Sequence, residues 1–100
     1  MLLLSRSNKV LGITTISTGG VSASLMDRKV MFQHALKANA CGIIIAHNRP
    51  SGNKMPSESD TKITRKIKDA GEILDIQLLD HIILTPEEDV YTSFVDEGLL

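Results

Sequence analysis

The alternation of apolar and polar stretches along the first forty residues predicts two strands followed by a helix. Apolar residues dominate 2–4 and 10–17, and the polar segment 6–9 between them has the turn-forming composition that joins antiparallel strands. From Asp27, a residue suited to a helix start, apolar residues recur at helical spacing until near Asn39. These apolar positions are Val30, Met31, Ala35 and Ala38. The pattern therefore predicts a β-hairpin and one helix.

The next segment predicts a strand at the centre of the sheet and an exposed loop after it. Residues 42–46 form a short, continuous apolar run that is mostly β-branched, which is typical of a strand covered on both faces. Residues 47–55 are polar and contain Pro50 and Gly52, which favours an exposed loop. Binding and catalytic residues concentrate on such loops, so this segment is the first place to look for a site.

The remaining sequence predicts a second helix and further strands. Ser57 opens the helix, whose apolar stripe should face the core, and Gly71 lies near its end. The stripe consists of Ile63, Ile67, Ala70 and Leu74. The elements after it are a strand at 76–84 with Asp80 and His81 inside it, a turn at 86–89 and an extended segment at 90–95. The resulting order, β-β-α-β-α-β-β, predicts an α/β-type (α+β) fold with helices packed on a mixed sheet.

Length and charge fit one small domain without a strong electrostatic field. The 100 residues, 42% of them hydrophobic, suffice for one packed core, so we expect a single domain over 1–100. Because Leu2 already has the character of a strand interior, we also expect that this domain could be truncated at its N-terminus. The 11 basic residues nearly balance the 12 acidic ones, which argues against nucleic-acid binding. The single Cys41 excludes an internal disulfide, and no apolar stretch approaches the length of a membrane span. We therefore expect a cytoplasmic protein that is not embedded in a membrane.

The stretch 47–60 joins the predicted central strand to the second helix and carries the chain's most informative pattern. Its last four residues, from Ser57 to Asp60, fit a capping box, in which the serine side chain accepts a hydrogen bond from an early helix amide and the acidic side chain reaches back to the serine amide. A helix cap alone explains both residues.

The same stretch resembles the signature of the Jab/MPN (JAMM) metalloproteases. That signature has two histidines separated by one residue, then a serine, then an aspartate three residues after the serine, and these residues surround a zinc ion. His47, Ser57 and Asp60 fall on this pattern. The Pro-Ser-Gly and Pro-Ser segments between them, together with Leu-Asp-His-Ile-Ile at 79–83, are similar to the RadC-like branch. The resemblance covers nearly the whole chain. It implies a Jab/MPN-like mixed β-sheet flanked by helices, with cytidine-deaminase-like layering.

The resemblance also implies a chemistry. In such a site His47 and Asp60 would be zinc ligands, and Ser57 would stabilise the oxygen that becomes negative when hydroxide attacks a carbonyl. Zinc held by two imidazoles and a carboxylate keeps one position for water, whose pKa falls towards ~7. A separate glutamate moves the protons. The RadC-like branch additionally carries a DNA-repair label.

The sequence departs from the family pattern in two respects. Arg49 stands where the second ligand histidine is expected, and an arginine offers a metal no lone pair and adds a permanent positive charge. The family's general-base glutamate precedes the metal motif, whereas the first glutamate of this chain is Glu58. Either that glutamate lies upstream of Met1 or the lineage abandoned hydrolysis. We therefore expect zinc to bind weakly or not at all.

Several of these residues have structural explanations as well. His47 could be an ordinary strand-end histidine that holds the loop. Arg49 could be solvated, could bind an anion at the helix N-terminus or could pair with Asp60, and we favour the pair. Asp80 and His81 inside an apolar strand are more typical of a structural hydrogen-bonded group than of a catalytic pair.

Two functions from different classes follow from the sequence. One is a zinc-dependent metallopeptidase or isopeptidase-type hydrolase that uses His47, Asp60 and Ser57. The other, which we favour, is a non-catalytic or weakly active, DNA-repair-associated module that keeps the fold and uses its surface. Strands near both ends of the chain should leave exposed sheet edges, so we also expect that a homodimer could form through an edge.

Overall fold

The computed structural model describes residues 1–16, 27–49 and 52–100 of the chain. The elements are β1 (Leu2–Leu4), β2 (Val10–Ile13), α1 (Arg28–Lys37), β3 (Gly42–Asn48), α2 (Glu58–Ile73), β4 (Gln77–Leu84) and β5 (Tyr91–Ser93). The predicted element order and the α+β class are confirmed. No helix of the described residues is long and apolar enough to cross a bilayer.

The five strands form one mixed sheet in the order β2-β1-β3-β4-β5, so β3 is central, as predicted. β1 runs antiparallel to β2 and β3, β4 runs parallel to β3, and β5 is antiparallel to β4. α2 is the crossover between the two parallel strands. Its first turn therefore lies near the carboxyl ends of β3 and β4, the edge where open α/β sheets bind their ligands.

α1 begins as the sequence predicts and ends slightly earlier. The Asp27 carboxylate accepts hydrogen bonds from the amides of Lys29 at 2.9 Å and Val30 at 3.4 Å, which makes Asp27 the N-cap. The helix ends at Lys37. Asn39, the predicted end, has a φ of 52°, a left-handed conformation that a right-handed helix cannot include.

α2 packs through the predicted stripe except at its last position. Ile63 and Ile67 are buried, but Leu74 is 41% exposed because the helix ends one residue before it. At Gly71 a Cβ atom would lie 2.2 Å from the carbonyl oxygen of Ile76, so only glycine lets α2 turn this closely into β4.

The prediction that β3 is covered on both faces is wrong. Ile43 and Ile45 are fully buried, whereas Ala46 on the opposite face is exposed. The cause is that α1 and α2 join one core cluster on the same face of the sheet. That cluster comprises Leu3, Met31, Phe32, Ala35, Ala40, Ile43, Ile45, Ile63, Ile67, Ile76 and Leu78.

Three predicted boundaries also need correction. β3 extends to Asn48 because its parallel pairing with β4 continues to Leu84, so His47 lies in a strand and not in the predicted loop. β2 ends at Ile13, and residue 17, the predicted end of that strand, lies outside the described residues, as does Pro50 of the loop. β5 covers only 91–93 of the predicted 90–95.

Candidate functional site

A polar cluster occupies the corner where β3 ends and α2 begins. It contains three of the sequence-predicted residues, His47, Arg49 and Asp60, and one that the sequence assigned elsewhere, His81. Asp60 and His81 are 1% and 0% exposed, so their charges and protons are isolated from bulk water. Buried polar groups must satisfy one another, and their partners therefore define the chemistry of the corner.

Asp60 is held by the first turn of α2 and by Arg49. Its Oδ2 accepts a hydrogen bond from the Ser57 amide at 2.8 Å, and its own amide donates to Ser57 Oγ at 3.0 Å. This is the predicted capping box. The same Oδ2 accepts from Arg49 Nη2 in an ion pair, which confirms the favoured Arg49–Asp60 pair.

The environment of Asp60 favours its ionised form. Burial alone would raise its pKa, but the hydrogen bonds from Ser57 and the adjacent Arg49 guanidinium outweigh burial and hold the pKa below its ordinary value. The guanidinium is itself largely enclosed, with its side chain 12% exposed. Its Nη1 donates to the carbonyl oxygen of Met55 at 3.1 Å, which ties the loop to the ion pair.

The two ring nitrogens of His47 have different neighbours. Nε2 lies 3.5 Å from Arg49 Nη2 and 3.8 Å from Asp60 Oδ1. Nδ1 lies 2.8 Å from Nε2 of His81. Burial lowers the pKa of His47, with Asp60 raising it and Arg49 lowering it further. The ring is thus favoured in its neutral form.

The donors and acceptors among His47, His81 and Thr64 can be assigned by starting from the backbone carbonyl oxygen of Asp60. Thr64 Oγ1 lies 2.6 Å from the carbonyl oxygen of Asp60, which can only accept, and 2.6 Å from Nδ1 of His81. The hydroxyl hydrogen therefore goes to the carbonyl, and His81 Nδ1 must donate to Thr64. A neutral His81 then accepts at Nε2, so His47 donates from Nδ1 and keeps a bare lone pair at Nε2. The lone pair faces Arg49 and Asp60.

His81 is fixed by packing as well as by these bonds. Its ring stacks on Phe94 with the ring centroids 4.5 Å apart and an interplanar angle of 19°. Burial, followed by the neighbouring His47, lowers its pKa to about 4. The sequence placed His81 in a structural pair with Asp80, but the Asp80 carboxylate bonds to backbone and serine instead. Its partners are the amides of His81 and Val95 and the hydroxyl of Ser93, at 2.8, 3.1 and 2.5 Å.

The link between His47 and His81 was missed because nothing in their 34-residue separation points to it. The sequence carries only one indirect indication that the two residues are close. Both residues lie in apolar strands joined by one helix, and such strands pair in parallel, here with His81 opposite Ile45 and two residues from His47 in register.

Ser57, the predicted oxyanion-stabilising residue, is exposed, and its hydroxyl accepts the Asp60 amide as a helix cap. This cap accounts for its position. A catalytic role for Ser57 stays a prediction.

The donors present do not fit a zinc ion as they stand. His47 Nε2 and the Asp60 carboxylate are two of the types of group that zinc binds, but Arg49, a cation, touches both of them. Among the described residues no group of three or more His, Cys, Asp or Glu side chains is arranged to hold a metal ion. The Arg49 guanidinium, which contacts both of these groups, has no lone pair to offer a metal.

Comparisons with known proteins bear on the whole chain. A family model described as RadC-like JAB domain matches residues 1–99. A UPF0758 protein of Flavobacterium johnsoniae is 48% identical over 99 residues, which are 99% of this chain and 42% of the relative. UPF0758 proteins of Pelobacter propionicus and Porphyromonas gingivalis are each 40% identical over 100 residues, covering 100% of this chain and 43% and 44% of those relatives. The chain thus spans less than half the length of the relatives that it matches.

Proposed function

This chain belongs to the RadC-like JAB domain family, and from that premise we propose that it is a module which keeps the family's fold but does not catalyse zinc-dependent hydrolysis. Its role is carried by the surface of the domain. We also propose that the module is associated with DNA repair, the role by which the RadC-like branch is labelled.

One observation carries the proposal: Arg49 forms a largely enclosed ion pair with buried Asp60 and also contacts His47 Nε2. A zinc ion at these donors would have to displace a guanidinium that already neutralises the carboxylate. It would then meet only one imidazole and one carboxylate, whereas catalytic zinc sites typically have three protein ligands. The ion pair therefore supports a silent site.

The alternative is a zinc-dependent metallopeptidase or isopeptidase that uses His47, Asp60 and Ser57. One feature favours it: the Nε2 lone pair of His47 faces the Asp60 carboxylate, 3.8 Å from Oδ1, as two ligands of one metal would. This alternative requires Arg49 to move away from His47 and Asp60 and a third ligand to take its place.

The two proposed functions predict different results in an activity assay on the complete gene product. We expect no chelator-sensitive cleavage in a panel of peptide and isopeptide substrates, with or without added zinc. Hydrolysis of this type needs both a metal to make hydroxide and a carboxylate to move protons. Cleavage that a chelator stops and that His47→Ala abolishes would contradict the silent-module proposal.

The partner is also a proposal. β2 lies at the edge of the sheet with Val10 and Ile13 61% and 78% exposed, a combination that favours pairing with another strand. We propose a homodimer through this edge. Sedimentation should show a concentration-dependent dimer that Ile13→Lys weakens, and a monomer at all concentrations would refute it. We also propose that the protein acts in the cytoplasm, which cell fractionation would test.

A further inference from the structure

We infer that the corner of β3 and α2 is a cation site whose occupant is built into the chain: the guanidinium of Arg49 fills it, and Thr64 and His81 are positioning residues that keep the His47 Nε2 lone pair directed at it. The inference deepens the proposed function and rests on it, because it assumes that no metal ion takes the place of Arg49.

The acceptors around Arg49 are of the kind that surround a bound cation. Its two terminal nitrogens meet a carboxylate oxygen of Asp60, the carbonyl oxygen of Met55 at 3.1 Å and the Nε2 nitrogen of His47 at 3.5 Å. Each offers a lone pair, and they come from three separate segments: the end of β3, the loop and the first turn of α2. Convergence of acceptors from separate segments on one positive charge is what distinguishes a site from a surface ion pair.

The guanidinium is held by its terminal nitrogens and not by its whole donor set. Nε of Arg49 is buried and has no hydrogen-bond partner among the described residues. The hydrogen bonds of the guanidinium to Asp60 and Met55 are made by its two terminal nitrogens.

The hydrogen bonds behind His47 set the side of the ring that carries the lone pair. Thr64 gives its hydrogen to the Asp60 carbonyl, His81 donates to Thr64 and accepts from His47, and His47 is left without a hydrogen on Nε2. If the direction were reversed, an N–H of His47 would point at the N–H of Arg49, and two donors would oppose each other. Because His81 donates to Thr64 and accepts from His47 Nδ1, the Nε2 atom of His47 is kept as an acceptor facing Arg49.

The direct test is the tautomer of each histidine, measured by long-range nitrogen–proton NMR on the wild-type chain near neutral pH. We expect the hydrogen on Nδ1 in both His47 and His81, with exposed His34 as the internal reference. Thr64→Val should change the tautomer signature of His47, because it removes the hydroxyl that accepts from His81, and Thr64→Ser should preserve it. A wild-type His47 with its hydrogen on Nε2, or a Thr64→Val variant with an unchanged signature, would overturn the inference.

A second test asks whether the corner of β3 and α2 binds a free cation once the guanidinium of Arg49 is removed. Arg49→Ala should melt at a lower temperature, and low-millimolar guanidinium should raise that melting temperature saturably by roughly 5 °C, the scale for one restored interaction in a domain of this size. Sodium chloride at equal ionic strength should not do so, and guanidinium should not rescue an Arg49→Ala, Asp60→Asn double variant. Absence of rescue in a folded Arg49→Ala protein would contradict the cation site. If that variant does not fold, the wild-type NMR measurement still decides.

The two proposals fail in different ways. A wild-type chain that hydrolyses peptides with a metal at His47 would refute both. A catalytically silent wild type in which His47 carries its hydrogen on Nε2 would refute the built-in cation alone.

Discussion

At the scale of single residues, the decisive feature is that Asp60 serves two partners with one oxygen. Its Oδ2 accepts from the Ser57 amide and from Arg49, so one carboxylate closes the helix cap and neutralises the guanidinium. Removing one partner of a buried ion pair is costly because the other charge stays buried. The stability of the corner should therefore depend on the charge of Asp60 and not only on its shape.

Asp60→Asn tests this dependence because it keeps the shape and removes the charge. We expect the free energy of unfolding in metal-free buffer at neutral pH to fall on the order of 3 kcal/mol, the scale for breaking a buried pair. Urea unfolding measures the loss, and Asp69→Asn on an exposed turn of α2 is the matched control. A loss no greater than the control's would leave Asp60 without a structural role as an ion.

His81 predicts a distinct dependence of stability on pH. Its pKa is lowered to about 4 from 6.5 by burial, so below pH 6.5 the unfolded chain takes up a proton that the folded chain refuses until about pH 4. Stability should fall as the pH falls through this window, by on the order of 3 kcal/mol in total. His47, whose pKa is also lowered, acts in the same direction.

Urea unfolding across this pH range measures the effect. His81→Gln should flatten the profile between pH 6.5 and 4, and His34→Gln at an exposed position of α1 should not. Asp60 acts at lower pH: because its pKa is depressed, its contribution is complete above its unfolded pKa and is lost as the pH falls through the folded one. A profile unaffected by His81→Gln would show that the buried ring does not resist protonation.

The sequence could predict the residue contacts that are local or chemically forced. The Ser57–Asp60 box is encoded in four consecutive residues, and the Arg49–Asp60 pair was expected because both residues fall on ligand positions of the resembled metal motif. The contact between His47 and His81 could not be predicted, because it depends on the register of two strands, and the irregularity in that register falls after Ile43.

At the scale of elements, the predicted boundaries are right where local sequence sets them and wrong where strand pairing sets them. α1 and α2 begin where the capping residues Asp27 and Ser57 lie, because capping is local chemistry. β3 is longer than its apolar run because Asn48 still pairs with β4, and pairing is not visible in the sequence of one strand. A continuous apolar run likewise cannot show whether one face of a strand or both are covered.

Ser57→Ala separates the structural role of this residue from a chemical one. Losing the side-chain acceptor for the Asp60 amide should cost about 1 kcal/mol of stability, the usual scale for an N-cap. Thermal unfolding measures the loss, with Ser59→Ala at an exposed position of the same turn as the control. Equal melting temperatures for the two variants would contradict the capping role, and Ser57 would then need another explanation.

At the scale of the whole molecule, the corner is the point where the fold is tied together. β3 supplies His47, β4 supplies His81 and α2 supplies Thr64 and Asp60, so a single chain of contacts joins the central parallel pair to the crossover helix. Arg49 adds the loop to this unit through Met55. The Arg49 guanidinium thus belongs to the same set of contacts as the two parallel strands and the crossover helix.

The most direct measurement of this account is a calorimetric zinc titration of the wild-type chain beside Arg49→His. We expect no stoichiometric site in the wild type, since Arg49 neutralises Asp60 and contacts the Nε2 of His47. We expect one zinc ion per chain in Arg49→His, since that variant offers two imidazoles and a carboxylate, and loss of that site when His47→Ala is added. A submicromolar, stoichiometric site in the wild type that His47→Ala abolishes would contradict the account, and so would an Arg49→His variant that binds zinc no better than the wild type.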